Sequence, residues 1–144
     1  MKLPEPFTYF VDRSLGREHV VAAMRGAGEN VYAHDDHFAQ NTPDVTWLEE
    51  VGRRGWVVLT KDKNIRANEL ERVTLIQAKV ACFMLGRGDL AGPTMGATFV
   101  QALPRMRKAL RRFEIPLVAS VSAAGGVRVL IAAAEWLSTP KELK

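Results

Sequence analysis

The chain has 144 residues, a net charge of +4 and a pI of about 9.5; 47% of its residues are hydrophobic and 25% are charged. These values are typical of one folded domain and exclude a disordered chain. A lone cysteine, Cys82, excludes an intrachain disulfide, and the sequence contains neither an apolar signal core nor a membrane-length apolar stretch. We therefore expect a cytoplasmic protein with no membrane partner, in which Cys82 is a core residue.

The first half of the chain alternates short apolar runs with helical patterns. It predicts strands at residues 8–11, 30–34 and 56–59, a helix from about 14 to 27 and a helix from 43 to about 52. We expect Ser14 to cap the first helix and Gly28 to end it. Thr42 is the expected cap of the second helix and Pro43 its first residue. A polar loop at 35–41 separates the second strand from this helix.

The second half continues the alternation and ends on a hairpin. It predicts a loop at 61–67, a helix that Asn68 caps, a strand at 79–85, a helix at about 93–112 with a kink at Pro104, and strands at 117–121 and 127–131. We expect Leu70, Val73, Thr74 and Gln77 to lie on the Asn68 helix. The pattern predicts one α/β domain over 1–144 with three α/β/α layers, a mostly parallel sheet and a C-terminal β-hairpin. Its core spans about 7–131, and the tail at 132–144 carries Trp136 and Leu137.

Three aspartates are predicted to meet at one edge of this sheet. Asp12 and Asp62 follow two buried strands, and Asp44 lies in the first turn of the helix between them. Ligands of open α/β sheets bind at the carboxyl ends of the strands. Each aspartate is also explained by a turn or a helix cap, but three clustered carboxylates repel one another unless a cation neutralises them. Oxygen ligands favour Mg²⁺ or Mn²⁺ over zinc.

A second acidic cluster, His34-Asp35-Asp36-His37, follows the second strand at the same edge. Neighbouring side chains of an extended segment point in opposite directions, so the four residues cannot all bind one ion. We expect one aspartate to contribute a metal ligand, with Asp36 preferred over Asp35. The two histidines are expected to be loop residues or to support ligands.

Basic residues occur beside the acidic edge and on the long helix. Arg13, Lys61, Lys63 and Arg66 flank the aspartates, where cations either hold phosphodiester oxygens or reduce the repulsion among carboxylates. A second set consists of Arg105, Arg107, Lys108, Arg111 and Arg112. We expect this helical set to be a solvated face; a nucleic-acid track and a surface for an acidic partner are the alternatives.

The residues around the three aspartates resemble those of compact PIN-like domains, the short relatives of the PIN ribonucleases such as VapC-type toxins. The resemblance rests on 11–15 (Val-Asp-Arg-Ser-Leu), on Pro43-Asp44 with Trp47-Leu48, and on 58–63 (Val-Leu-Thr-Lys-Asp-Lys). It covers residues 8–85 in motif order. The glutamate that larger PIN domains carry on an early helix has no clear match, and Asp35 or Asp36 is the candidate replacement.

The resemblance implies a metal-dependent endoribonuclease that cleaves single-stranded RNA with Mg²⁺ or Mn²⁺. Asp12, Asp44 and Asp62 would be the metal-binding catalytic acids, and Thr60 would orient the site. Arg13, Lys61, Lys63 and Arg66 would contact the RNA. The resemblance also implies the toxin of a toxin–antitoxin pair, with a cognate antitoxin protein as partner and homodimer formation.

Two other functions compete with this hypothesis. The lack of a matching glutamate favours a non-catalytic PIN-like module that binds nucleic acid or protein. A phosphoryl-accepting receiver domain also uses Asp, Thr and Lys on a parallel sheet. It fits poorly, because a receiver needs Thr and Lys on two later strands and here Thr60 and Lys61 are adjacent.

Overall fold

A six-stranded sheet forms the centre of the computed structural model, which describes residues 1–133. Its strands are β1 (Thr8–Val11), β2 (Asn30–Ala33), β3 (Val57–Thr60), β4 (Ala81–Leu85), β5 (Leu117–Val121) and β6 (Val127–Ala132). They are ordered β2-β1-β3-β4-β5-β6, and every neighbouring pair is parallel except β5 with β6. The predicted α/β sheet with a C-terminal hairpin is confirmed. The predicted tail residues Trp136 and Leu137 lie outside the described residues.

Five helices lie within the described residues: α1 (His19–Gly26), α2 (Asp44–Arg54), α3 (Asn64–Ala67), α4 (Glu69–Gln77) and α5 (Gly92–Arg112). The helices α1 and α5 pack together on one face of the sheet, and α2, α3 and α4 pack on the other. A helix that follows a parallel strand begins at the carboxyl end of that strand. The first turns of α2 and α4 therefore lie at the same edge as the ends of β1 and β3.

Alternate strand residues supply two hydrophobic cores, one on each face of the sheet. Tyr9 and Val11 belong to the core under α1 and α5, whereas Phe10 packs with Trp47 of α2 in the other. All four residues of β3 are buried, as expected of a central strand covered on both faces. Cys82 is fully buried in the second core, which confirms its structural role. The predicted apolar stripe of α5 is also buried: Met95, Phe99, Leu103, Met106 and Leu110.

The predicted starts of the first two helices are wrong. Residues 13–15 form a 3-10 turn, and α1 begins only at His19. Ser14 does not cap it, because its hydroxyl donates to Asp12 Oδ2 at 2.8 Å.

The helix α2 begins at Asp44, and Pro43 occupies the cap position in an extended conformation. Arg13 donates to the Thr42 carbonyl at 2.7 Å, which holds Thr42 outside the helix.

One expectation about residues 61–77 needs correction, because the predicted loop contains the short helix α3. The four residues expected on the Asn68 helix do lie on α4, whose buried residues are Thr74, Leu75 and Ile76. Leu70, in the first turn of α4, is 65% exposed. The Asn68 cap is confirmed, because its side chain accepts a hydrogen bond from the Glu71 N–H at 3.1 Å.

The long helix α5 continues through Pro104, and the kink expected there stays a prediction. None of the helices within residues 1–133 combines the length and the apolar composition needed to cross a membrane.

Candidate active site

Asp12 is held at the end of β1 by two hydroxyl groups. Its backbone N–H donates to the Leu59 carbonyl of β3 at 2.9 Å, and the residue is only 2% exposed. Asp12 Oδ2 accepts hydrogen bonds from Ser14 Oγ at 2.8 Å and from Thr60 Oγ1 at 2.7 Å. Asp12 Oδ1 is buried and has no hydrogen-bond partner among the described residues. One oxygen is therefore fixed by the protein, and the other remains available to a ligand.

Thr60 connects Asp12 to the turn that carries Asp62. Its hydroxyl donates to Asp12 and accepts the Asp62 N–H at 3.0 Å. Asp62 Oδ1 in turn accepts the Asn64 N–H at 2.9 Å, at the start of α3. Asp62 thus serves as a local turn former as well as an acid at the sheet edge. The expected orienting role of Thr60 has a direct geometric basis in these bonds.

Hydrogen bonds from two other side chains orient Asp44. Its Oδ1 accepts hydrogen bonds from Arg13 Nη2 at 2.7 Å and from Trp47 Nε1 at 2.9 Å. Arg13 Nη1 also donates to the carbonyls of Gln40 and Thr42, at 2.6 and 2.7 Å. The Arg13 guanidinium therefore holds the segment that leads into α2. The expectation that Arg13 contacts RNA stays a prediction.

The first turn of α4 brings Glu71 close to Asp44 and Asp62. One carboxylate oxygen from each of the three residues lies within 4.8 Å of the others, and we call this group the carboxylate cluster. Asp44 comes from the first turn of α2, Asp62 from the turn after β3 and Glu71 from the first turn of α4. Asp12 is close enough for its charge to act on Glu71.

The electrostatics of the edge favour a bound cation. The pKa of Glu71 is raised to about 7, first because burial disfavours its charge and then because of its hydrogen bond to Asp44 and repulsion from Asp44, Asp62 and Asp12. Burial also raises the pKa of Asp12, although the hydrogen bonds from Thr60 and Ser14 oppose that rise. Glu71 Oε1, like Asp12 Oδ1, is buried without a hydrogen-bond partner in the described part of the chain.

These donors fit a hard divalent cation. All of them are carboxylate oxygens, which Mg²⁺ and Mn²⁺ prefer, and a positive ion would pair with the two orphaned oxygens and relieve the repulsion. Asp12, Asp44, Asp62 and Glu71 are the residues that could hold such an ion.

The acidic segment after β2 has a different environment. Asp35 accepts hydrogen bonds from Gln40 Nε2 at 2.8 Å and pairs with His34 Nδ1 at 3.0 Å; Arg17 lies 3.7 Å away. The hydrogen bond to His34, followed by the one to Gln40, lowers the pKa of Asp35. His34 is 1% exposed and packs among aromatic rings such as Phe10.

Asp36, the preferred fourth ligand, is exposed and is not part of the carboxylate cluster. Neither is Asp35. Within the described residues, the acid that lies with Asp44 and Asp62 is Glu71. The expectation that Asp36 or Asp35 supplies the fourth ligand stays a prediction.

The remaining cations near the edge differ in their surroundings. Lys63 is exposed, and Lys61 Nζ lies 3.4 Å from the Gly88 carbonyl. Arg66 lies in the last turn of α3. On the long helix, Arg107 pairs with Glu29 and Arg111 with Glu5. The other three cations of the helical set are exposed, in line with the expected solvated face.

Glu71 was missed in the sequence although a signal for it exists. A helix that follows a parallel strand starts at the carboxyl edge of the sheet, and this argument placed Asp44 there. The same argument applies to the first turn of α4, which contains Glu69 and Glu71. Asn68 with Glu71 three residues later also matches the spacing of a capping box. The backbone N–H of Glu71 does bond to Asn68, but its carboxylate turns toward the cluster.

Comparisons with known proteins identify the family of the chain. A family model described as "PIN like domain" matches residues 7–87, a stretch that contains Asp12, Asp44, Asp62 and Glu71. A curated protein of Mycobacterium tuberculosis named "Putative ribonuclease VapC45" is 33% identical over 125 residues, which cover 84% of this chain and 90% of that protein. No solved structure matches the chain significantly.

Proposed function

This chain belongs to the family of PIN-like domains, and from that premise we propose that it is a metal-dependent endoribonuclease that cleaves single-stranded RNA. The observation that carries the proposal is the carboxylate cluster of Asp44, Asp62 and Glu71, with the unpartnered oxygen of Asp12 beside it. The name of the mycobacterial relative supports the reaction class.

In this proposal Asp12, Asp44, Asp62 and Glu71 hold Mg²⁺ or Mn²⁺. When bound, the ion would polarise the scissile phosphate and lower the pKa of an attacking water, so that hydrolysis leaves a 5′-phosphate and a 3′-hydroxyl. Thr60 and Ser14 fix Asp12 through its Oδ2, and Arg13 fixes Asp44. These bonds set the donor oxygens in place before substrate arrives, which avoids reorganisation during the reaction.

The basic residues of the edge have two roles in this scheme. Lys61, Lys63 and Arg66 attract the phosphates of the RNA strand and steady the charge that develops at the scissile group. Arg13 acts through Asp44, since three hydrogen bonds already engage its guanidinium. Its substitution is therefore expected to disturb the position of Asp44 more than the affinity for RNA.

The direct test is cleavage of a labelled single-stranded RNA by the purified chain with Mg²⁺ or Mn²⁺, and with a chelator. We expect metal-dependent cleavage that Asp62→Asn reduces by roughly 100-fold or more, the range seen when a group that stabilises the transition state is removed. Asp36→Asn is the matched control, because it makes the same exchange at an exposed acid outside the carboxylate cluster. Equal rates for Asp62→Asn and the wild type would contradict the assignment.

We further propose that the chain is the cytoplasmic toxin of a toxin–antitoxin pair. The resemblance to VapC-type proteins supports this role, and a pocket with several converging carboxylates suits a partner that inserts a basic side chain. Co-expression with a small neighbouring reading frame should restore growth if that frame encodes the antitoxin. Formation of homodimers is part of the same proposal, and sedimentation tests it.

The non-catalytic alternative rests on the lack of a matching glutamate. In the nuclease proposal, Glu71 supplies the further acid, and its position beside Asp44 and Asp62 supports that role. Calorimetric titration with Mn²⁺ separates the two functions, because a domain that binds no divalent ion at millimolar concentration cannot perform this hydrolysis.

A further inference from the structure

A slot of about 370 Å³ opens at the carboxyl ends of β4 and β5. Met84 and Leu130 contribute apolar surface, Ser120 contributes a hydroxyl, and α3 forms one wall. We call this cavity the β4–β5 slot. Its volume lies within the range of small-molecule sites.

The slot and the cluster share one structural element. Asp62 comes immediately before Lys63 and accepts a hydrogen bond from the N–H of Asn64, the first residue of α3. Lys63, Arg66 and Ala67 line the slot. Adjacent strands are about 4.8 Å apart, so the ends of β4 and β5 lie roughly 5 and 10 Å from the end of β3. A nucleotide whose phosphate is at Asp62 therefore has its neighbour within reach of the slot.

The lining of the slot combines properties that a nucleobase requires. A base has apolar faces and a polar edge, and it is attached to a charged backbone. Met84 and Leu130 offer apolar contact to a face, the Ser120 hydroxyl offers a hydrogen bond to an edge, and Lys63 is a cation for the attached phosphate. A phosphate alone would leave the apolar surface unused, and an apolar side chain would leave the cation unused.

We propose that the β4–β5 slot binds the base of a nucleotide adjacent to the scissile phosphate, and that it determines where the RNA is cut. The proposal rests on the proposed nuclease function, but the binding of a base is measurable without cleavage. The slot then gives the domain a preference for sequence, which the metal site cannot supply because it contacts only phosphate oxygens.

Methionine methyl NMR provides the test of binding. The chain has five methionines, of which Met84 lines the slot and Met106 is fully buried in the other core. Protein labelled at the methionine methyls is titrated with each of the four nucleoside 5′-monophosphates and with ribose 5-phosphate, which has the sugar and phosphate without a base. We expect the Met84 signal to shift with at least one nucleotide, at about tenfold lower concentration than with ribose 5-phosphate, and the Met106 signal to stay in place.

A variant that fills the slot tests its location. Ala67 is exposed and lines the slot, so Ala67→Trp should fill it without disturbing the core. Ala22→Trp, at an exposed position of α1 outside the slot, is the matched control. We expect Ala67→Trp to remove the tenfold advantage of the nucleotide over ribose 5-phosphate, and Ala22→Trp to retain it. Thermal unfolding confirms that both variants are folded.

The outcomes separate this proposal from the nuclease function. Equal affinity for nucleotide and ribose 5-phosphate, a stationary Met84 signal, or an unchanged advantage in Ala67→Trp would each overturn the slot, even if the chain cleaves RNA. A Met84 response in a chain that cleaves no RNA would instead retain the base site and remove the nuclease function. In a chain that cleaves, Ala67→Trp should also flatten the preference among cleavage positions in a mixed-sequence RNA, whereas Ala22→Trp should not.

Discussion

Two acidic segments follow the strands that flank β1, yet they have opposite electrostatic characters. After β2, Asp35 pairs with His34 and Gln40, and these hydrogen bonds lower its pKa. After β3, Asp62 meets Asp44 and Glu71, and the pKa of Glu71 rises to about 7. The segment after β2 carries two acids, Asp35 and Asp36, and the segment after β3 carries one, Asp62. The difference lies in the partners that neighbouring elements supply, because donors surround the first segment and carboxylates surround the second.

This contrast separates structural acids from candidate catalytic acids. A carboxylate with donors on both oxygens, such as Asp35, stabilises the fold and has little to offer a metal ion, whereas Arg13 and Trp47 engage only one oxygen of Asp44. A group of carboxylates with orphaned oxygens costs stability, and such a cost is typical of functional sites. The sequence HDDH looked like a metal site because its residues are adjacent, whereas Asp44, Asp62 and Glu71 are distant in sequence and converge through the topology.

The largest expected effect, a loss of RNA cleavage, comes from removing the charge of Glu71 in the carboxylate cluster. In Glu71→Gln, we expect cleavage of RNA to fall by roughly 100-fold, equivalent to about 2.7 kcal/mol, because one ligand of the ion is weakened. Calorimetry with Mn²⁺ should show a parallel loss of affinity.

The matched control is Glu69→Gln, since Glu69 is exposed in the same first turn of α4 and is not part of the carboxylate cluster. It should cleave within about twofold of the wild type. An equal loss of cleavage in both variants would indicate that the reaction depends on the total charge of the first turn of α4, and that Glu71 does not bind the ion.

Replacing the hydroxyl of Thr60 tests the support beneath the cluster. Thr60→Val keeps the shape of the side chain but removes the bond to Asp12 and the acceptor for the Asp62 N–H. We expect a loss of about 2 kcal/mol in the free energy of unfolding, since two buried groups lose a partner. Chemical denaturation measures it.

Thr98→Val provides the comparison, because the buried Thr98 hydroxyl donates only to the Thr94 carbonyl of its own helix. It should cost under about 1 kcal/mol. If the two valine variants were equally stable, the hydroxyl of Thr60 would contribute no more to stability than a bond within a helix.

The acids after β2 should matter for stability and not for chemistry. Asp35→Asn weakens the pairing with His34 and with the more distant Arg17, and we expect it to lower the free energy of unfolding by about 1 kcal/mol. Asp36→Asn, at an exposed neighbour, should change stability by less than about 0.5 kcal/mol. Both should retain metal-dependent cleavage. A loss of Mn²⁺ affinity in Asp35→Asn would place this segment in the metal site and end the distinction between the two regions.

The sequence predicted what depends on local pattern and on strand topology. The burial of β3, the Asn68 cap and the stripe of α5 follow from spacing and from cap chemistry. Ser14 was misplaced because a hydroxyl after a strand suits a cap as well as a bond to Asp12, and only the approach of Thr60 decides between them.

The same topological argument that placed Asp44 at the sheet edge also places Glu71 there. It did not single out Glu71, because an acid in the first turn of a helix is common without any function. Asp35 contacts His34, Gln40 and Arg17. The conformation of the loop after β2 sets these contacts, and no periodic pattern in the sequence predicts that conformation. Side-chain contacts, whether within a loop or between distant elements, therefore mark the limit of the sequence-based prediction.

The smallest expected effect is a dependence of stability on pH with opposite signs in the two regions. For Glu71 the folded-state pKa, about 7, exceeds the ordinary value of 4.5, so the folded protein binds the proton more tightly. This contribution to stability is complete below about pH 4.5 and is lost as the pH rises through 7. For Asp35 the folded-state pKa is below 3.8, so its contribution is present above pH 3.8 and is lost as the pH falls through the folded value.

Thermal unfolding of the chelator-treated protein between pH 3 and pH 8 measures both limbs. We expect the metal-free protein to lose about 1 kcal/mol between pH 4.5 and 7, after allowance for solvent screening of a half-buried group. Glu71→Gln should flatten this limb and leave the acid limb in place, while Asp35→Asn should weaken only the acid limb. Saturating Mn²⁺ should also remove the loss above pH 4.5, because the cation neutralises the same carboxylates. The pH profile of wild-type stability could instead be equally steep with and without Mn²⁺. Repulsion among the carboxylates would then persist in the presence of the metal, and the carboxylate cluster would not be the site that holds the ion.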